Sequence, residues 1–378
     1  MLYYKKMIII LVIFLFLAII YQLFQQRQQL LSIETFQEGA IFAVPTKNNE
    51  LSTLSVTSIP SGISDSNYSS LPLNQYCMKA SYNTAFTGNY INKDMVRHVL
   101  SRGCRFLDFE IYPNTEADLN TNLIPTVSCK ITKPQSTETL LDILNTIGIY
   151  GYSGQTPNKN DPIFINMRIY ANGNKFLYTQ VANVIQQSSI QSKLYRDSNN
   201  GNALPINMNT DDPKNTKDNK KLQDIQGKII IILDTNTTPD YNDDSIKCSN
   251  LKLPNTCKNL TDVVNIFSGN SVRIYTYSKL LNQQYNSPTI YDNKTTTSVN
   301  TFNIIYPDNC TNMFGLSNNQ SYFNLPINYG VQVVMWPFYK NDDNLAAYET
   351  AFSKSDGSAF VSMAKMINYI NTKIYPTK

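Results

Sequence analysis

Apolar positions along the chain follow three regimes. From Met7 to Ile20 they run without interruption, and Tyr21, Leu23 and Phe24 carry the run to residue 24 with Gln22 as its polar break. At 1.5 Å of rise per residue such a helix spans about 27 Å, enough for the hydrocarbon core of a bilayer. Residues 7–24 are therefore predicted to be a transmembrane anchor, with residues 1–6 before it. Residues 25–70 show neither helical nor strand periodicity and are rich in Ser, Thr and Asn, which predicts a flexible linker whose role is reach.

Beyond Leu71 short apolar or alternating runs are separated by longer amphipathic ones, the mark of strands alternating with helices. Strands are expected at Gln75–Ala80, Arg105–Tyr112, Ile124–Ser128, Pro162–Ile169, Lys228–Leu233, Ser271–Tyr275, Phe302–Tyr306 and Val331–Trp336. Helices are expected at Asn92–Arg102, Ser136–Ile147, Lys175–Gln187, Asp342–Phe352 and Ala359–Tyr369. This α/β alternation predicts a (β/α)8 barrel of the TIM type over residues 71–378, behind a single N-terminal transmembrane helix. Residues 197–219 are polar, lack a period and present no apolar face, so they are expected to form a surface insertion whose deletion the fold tolerates.

Charge changes the picture little. The 32 Lys and Arg residues against 28 Asp and Glu give a net +4 without long basic runs, which disfavours nucleic acid as a partner. Lys5 and Lys6 precede the apolar run and only Arg27 follows it closely, so the N-terminus is expected in the cytosol and the barrel across the membrane. A cleaved signal peptide is the alternative, but the apolar run is long and no small-residue cleavage pattern follows it. The bias toward Asn, Ile, Tyr and Lys is one that A/T-rich coding produces, as in parasite or large-virus genomes. Of the six cysteines, Cys248 and Cys257 are close enough to close a short disulfide loop.

The single histidine, His98, excludes any mechanism that needs two imidazoles. It falls within a helix leading into a strand, the wrong end of a βα unit for catalysis, and is read as a packing residue. Side chains at the C-terminal ends of barrel strands are the functional candidates, because the fold places its site there. Alternation in RFLDFEIY puts Phe106, Asp108, Glu110 and Tyr112 on one face, and alternation in PIFINMRIY does the same for Phe164, Asn166 and Arg168. Two inward carboxylates with the Asn83 amide oxygen would suit calcium, a cation that takes oxygen ligands. An ion pair of those carboxylates with Arg168 is the competing arrangement.

These segments resemble phosphoinositide-specific phospholipase C. LPLNQYCMKASYNTAFTGN followed by GCRFLDFEIY is similar to the opening of that family's X region, and DPIFINMRIY and LQDIQGKIIIILDT resemble later X motifs. NIIYPDN and INYGVQVVMWPFY resemble the Y region. The resemblance implies an X-like half at 71–196 and 220–236, a Y-like half at 265–378, and a polar insertion at 197–219 between motifs. It implies cleavage of a phosphodiester by an inositol hydroxyl, helped by two histidines and calcium.

Position by position, the family's histidines fall on Tyr82 and near Ser128 or Cys129, so neither is present. Its metal ligands fall on Asn83, Asp108, Glu110 and Arg168, the last a cation in place of a carboxylate. Its headgroup clamp falls on Ile232, Asp234 and Ile304, which no longer suit a polyphosphoinositide. A divergent, catalytically inactive barrel acting as a binding or structural protein is expected, on a cell surface, in a lumen or on a virion membrane, with an unidentified protein or lipid headgroup as ligand. The alternative is an active phosphoric diester hydrolase that works without histidine, with Asp108 or Glu110 as base near Tyr82, Ser128 or Cys129. Calcium at Asn83, Asp108 and Glu110 belongs to that alternative.

Overall fold

The computed structural model describes residues 71–114, 123–129, 136–154, 156–208, 220–250, 257–269, 272–291, 297–308 and 323–374, with positions 47, 50, 51, 54, 134, 311–312, 315–316, 319 and 321. The chain divides into two compact units, residues 1–46 with 312–315 and residues 47–311 with 316–378. All elements below belong to the second. The expected anchor at 7–24 lies outside the described residues, among which no helix is long and apolar enough to cross a membrane.

Eight strands form a nearly closed parallel barrel: β1 (Tyr76–Ser81), β2 (Phe106–Pro113), β5 (Ile163–Ile169), β6 (Ile229–Leu233), β7 (Ile266–Phe267), β8 (Val272–Thr276), β9 (Phe302–Tyr306) and β10 (Val333–Trp336). Their order around the sheet is β7-β6-β5-β2-β1-β10-β9-β8, each neighbour parallel to the next. The strand β6, IIIIL, is buried throughout, as a strand covered by side chains inside and helices outside must be. The helices are α1 (Lys93–Ser101), α2 (Leu140–Tyr150), α3 (Phe176–Gln187), α4 (Tyr277–Leu281), α5 (Asn324–Tyr329), α6 (Asp343–Ser355) and α7 (Met363–Tyr369). Asn92, Thr139 and Asp342 cap α1, α2 and α6, each side chain accepting a backbone N–H of the first turn.

The expected strand at Ile124–Ser128 is not a barrel strand. It forms β3 (Pro125–Ser128), which runs antiparallel to β2 and pairs on its other side with the short β4 (Glu138–Thr139). The missing barrel member is β7, whose two residues are too few to show a period. Residues 359–369 also differ from the expected single helix. Phe360–Ser362 forms β11, antiparallel to the start of β1, and the helix begins only at Met363, capped by Ser362.

Two segments read as loose connections are held to the barrel in part. Glu50 is buried and accepts hydrogen bonds from the Thr87 hydroxyl and from Asn89 Nδ2 (2.6 Å), and Lys47 pairs with Glu138. Lys47 and Glu50, inside the stretch expected to be a linker, are thus bonded to the barrel. Within the predicted insertion, Ile206 and Met208 are buried, and Ala203 and Ile206 donate backbone hydrogen bonds to Asp262 (2.8 Å) and Asn265 (2.9 Å). Two apolar side chains in a polar stretch escape a compositional reading. Residues 209–219 lie outside the described residues.

Candidate functional site: an ionic cluster at the barrel mouth

Register brings the candidate residues together. β2 and β5 pair with Asp108 beside Asn166 and Glu110 beside Arg168, and β5 pairs with β6 so that Asn166 stands beside Ile232. Side chains alternate in both strands, so Asp108, Glu110, Asn166 and Arg168 share one face. The loop after β1 closes over this group. Asn83 takes φ +42°, a left-handed conformation that Asn tolerates better than most residues, and its backbone N–H donates to Asp108 Oδ2 (3.1 Å). Thr84 and Asp108 exchange two further bonds, Thr84 N–H to the Asp108 carbonyl and Asp108 N–H to the Thr84 hydroxyl, both 2.9 Å.

Arg168 is the centre. Its Nε donates to Asp108 Oδ1 (3.0 Å), and Nη2 donates to Asp108 Oδ2 (2.6 Å) and to Asn83 Oδ1 (2.8 Å). Its Nη1 donates to Glu110 Oε1 (2.7 Å) and to the Tyr82 hydroxyl (3.4 Å). A guanidinium has five N–H donors, and these five bonds engage all of them. The carboxylates are equally occupied: Asn166 Nδ2 donates to Asp108 Oδ1 (2.8 Å), and the Tyr112 hydroxyl donates to Glu110 Oε2 (2.7 Å). Burial alone would lower the Arg168 pKa, but the charges of Asp108, Tyr82 and Glu110 outweigh it and hold the pKa well above its ordinary value.

Aromatic rings cover the guanidinium. Its carbon lies 4.7 Å from the centre of the Tyr82 ring and 5.5 Å from that of Tyr306, and the two rings are nearly parallel, 6.2 Å apart. Tyr112 and Tyr170 stack at 5.0 Å. Tyr306, at the end of β9, carries no sequence signal for this role beyond alternation, which turns it to the same side as Ile304. A cavity beside Tyr306, walled also by Tyr277 and Trp336, offers about 20 Å³, room for one water.

The remaining candidates divide. Cys129 Sγ accepts from Asn83 Nδ2 (3.1 Å), placing the thiol in the cluster, whereas Ser128 pairs through its backbone with Glu110. Ile232 and Ile304 are fully buried. Asp234, directly after β6, is also buried; burial pushes its carboxyl above the usual carboxylate range, against the opposing pull of the Asn236 backbone N–H and the Arg168 charge. His98 stands outside the cluster, on α1 with Arg102 Nη1 3.5 Å from its Nε2. Burial and that neighbouring cation lower its pKa to about 4, so the ring is neutral near pH 7. Cys248 and Cys257 form a disulfide, Cys77, Cys104 and Cys129 are buried thiols, and Cys310 lies outside the described residues.

Calcium does not fit these residues. The oxygens of Asn83, Asp108 and Glu110 that would ligate it each hold a guanidinium N–H at 2.6–3.0 Å, so a cation already stands among them. Among the described residues no group of three or more His, Cys, Asp or Glu side chains is arranged to hold a metal ion.

Comparison with known proteins agrees with the motifs. Residues 69–234 match the family model of the phosphatidylinositol-specific phospholipase C X domain. The crystal structure of S. officinalis PLC21 is similar over 88% of this chain and 42% of its own, with TM-score 0.55 and 15% identity. That of L. pealei PLC21 is similar over 87% and 43%, with TM-score 0.53 and 16% identity. The chain thus spans less than half the length of these structures, and at such identity the likeness speaks for the fold. No curated protein matches the sequence. Residues 69–234, with Asp108, Glu110 and Arg168 among them, thus carry the likeness to the phosphatidylinositol-specific phospholipase C X domain, and the fold of the described barrel agrees with it.

Proposed function

We propose that this protein is a phospholipase C-like barrel that binds its ligand without hydrolysing it, anchored in a membrane by residues 7–24. The observation that carries the reading is the occupancy of Arg168. A phosphodiester in cleavage needs a cation or free donors where charge develops, and a base for the attacking hydroxyl. All five Arg168 donors are engaged inside the protein, and both carboxylates that could act as base are tied to it. Tyr82 stands where the family places a histidine, its hydroxyl and ring both turned to Arg168. A histidine-independent hydrolase fits this arrangement less well, because the Asp108 carboxylate could serve as a base only by leaving three hydrogen-bonded partners, Asn83, Asn166 and Arg168.

The disulfide between Cys248 and Cys257 supports a non-cytosolic location for the barrel, since such bonds persist in oxidising compartments. It agrees with the charge asymmetry around the apolar run. Calcium titration by calorimetry tests the reading: wild-type protein is expected to give no binding heat in the micromolar range, and tight binding would overturn it.

A further inference from the structure

The loop over the Arg168 cluster is tied to the chain that precedes the barrel. Residues 82–92 join β1 to α1 and carry Tyr82, Asn83 and Thr84 at their root. Above the root, the Phe86 N–H donates to the Asn83 carbonyl (2.8 Å) and the Asn92 N–H to the Ala85 carbonyl (2.8 Å). Phe86 packs edge-on against Tyr339, ring centres 4.7 Å apart. The tip, Thr87 to Asn89, turns through Gly88 at φ +130°, a conformation open to glycine. Within the loop the tip is held by Thr87, whose N–H (3.0 Å) and hydroxyl (3.2 Å) both donate to the Tyr90 carbonyl.

Glu50 gathers this tip from outside. Its buried carboxylate accepts from the Thr87 hydroxyl and the Asn89 N–H (3.3 Å) at Oε2, and from Asn89 Nδ2 (2.6 Å) at Oε1. Bonds to an ionised acceptor are stronger than neutral ones, and here three donors of one short turn converge on a single side chain. The chain around Glu50 is itself fastened on both sides. Before it, Lys47 pairs with Glu138 of β4, and the Lys47 carbonyl accepts from Asn92 Nδ2 (3.3 Å), the side chain whose Oδ1 caps α1. After it, Leu54 is buried in the core, its N–H donating to the Leu51 carbonyl (3.2 Å), and Leu51 packs against the same core.

We propose that Lys47, Glu50, Leu51 and Leu54 form a clasp that keeps the β1–α1 loop shut over the Arg168 cluster, with Glu50 as its catch. Lys47 and Leu54 hold the clasp in place, and Glu50 holds the tip. Releasing Glu50 frees the tip, and its motion passes to Asn83 through the turn closed by the Phe86 N–H, lifting Asn83 and the adjoining Tyr82 ring from Arg168. Because the clasp precedes β1, a contact or tension on the chain ahead of Lys47 acts on this loop before it acts on the strands. The device biases a two-state loop and is independent of whether the mouth hydrolyses a substrate.

Hydrogen exchange read by mass spectrometry on the full chain in detergent tests the clasp, with residues 82–91 as reporter and β6 as reference. Glu50→Ala should speed exchange over 82–91 by about tenfold or more and leave β6 unchanged, since the loop opens locally once its charged acceptor is gone. Glu50→Gln, which keeps one acceptor oxygen, should fall between. Asn89→Ala removes the opposite partner at an exposed position and should speed the same segment. Adding it to Glu50→Ala should change little more, because the two ends of one contact are not additive. Equal exchange over 82–91 in wild type and Glu50→Ala would overturn the clasp, as would equal acceleration of β6, which marks a general loss of stability, or full additivity of the two substitutions. If Glu50→Ala does not fold, unchanged exchange in both Glu50→Gln and Asn89→Ala overturns it. None of these readouts depends on turnover, so failure of the clasp leaves the non-hydrolysing reading standing.

Discussion

Arg168 decides more about this molecule than any other side chain. A guanidinium can satisfy two carboxylates at once through its planar fork, and Arg168 does so while bonding Asn83 and Tyr82. Its removal leaves Asp108 and Glu110 buried without a counter-charge. Arg168→Leu is expected to lose about 3–5 kcal/mol of stability, read as a shift of the denaturation midpoint, because breaking a buried pair strands the remaining charge. Arg168→Glu would place a third carboxylate with the Asn83 amide and should make thermal stability rise with calcium, without producing catalysis, since the single histidine, His98, stands outside the cluster. Asp234 gives a prediction of opposite character. Its carboxyl is raised in the fold chiefly by burial, so the stability it contributes is fully present below the unfolded pKa and is lost as pH rises through the folded value. Wild type should therefore lose stability relative to Asp234→Asn as pH rises above the ordinary carboxylate range, as followed by urea denaturation at a series of pH values. A difference independent of pH would contradict the assignment.

Among the elements, alternation was the readable signal. The two motifs RFLDFEIY and PIFINMRIY announce that Asp108, Glu110 and Arg168 share a face, because side chains in a strand must alternate; parallel pairing of β2 with β5 then makes them neighbours. What alternation cannot report is the partner of a strand. Pro125–Ser128 has the composition of a barrel strand, yet its pairing with β2 is antiparallel, a matter decided by contacts distant in sequence. Ile266–Phe267 is too short to announce itself, and the unmet oxygen of Asp234 belongs to three-dimensional surroundings that no periodicity encodes. Composition misled in the 197–219 stretch, where Ile206 and Met208 are buried. Deleting residues 209–219 with a short Gly/Ser bridge should leave cooperative unfolding intact, whereas extending the deletion back to residue 203 should cost the protein several degrees in melting temperature, through two lost core side chains. Equal melting temperatures for the two deletions would show that Ile206 and Met208 contribute nothing.

At the scale of the whole molecule, a parallel barrel sets its polar cluster at the C-terminal ends of the strands, where related folds do chemistry, but here that cluster is closed on itself by charge pairing and aromatic cover. The proposed non-cytosolic location can be checked directly. Alkylation and mass spectrometry of the protein from its native source should find Cys248 linked to Cys257, with Cys77, Cys104 and Cys129 as thiols; a reduced Cys248 would place the barrel in a reducing compartment. The central claim is that the mouth is filled and does not cleave phosphodiesters. Its most direct measurement is release of inositol phosphate from phosphatidylinositol vesicles by the purified full chain, with calcium and with chelator. The account predicts no release above the protein-free rate under either condition, and calcium-dependent release abolished by Asp108→Asn would contradict it.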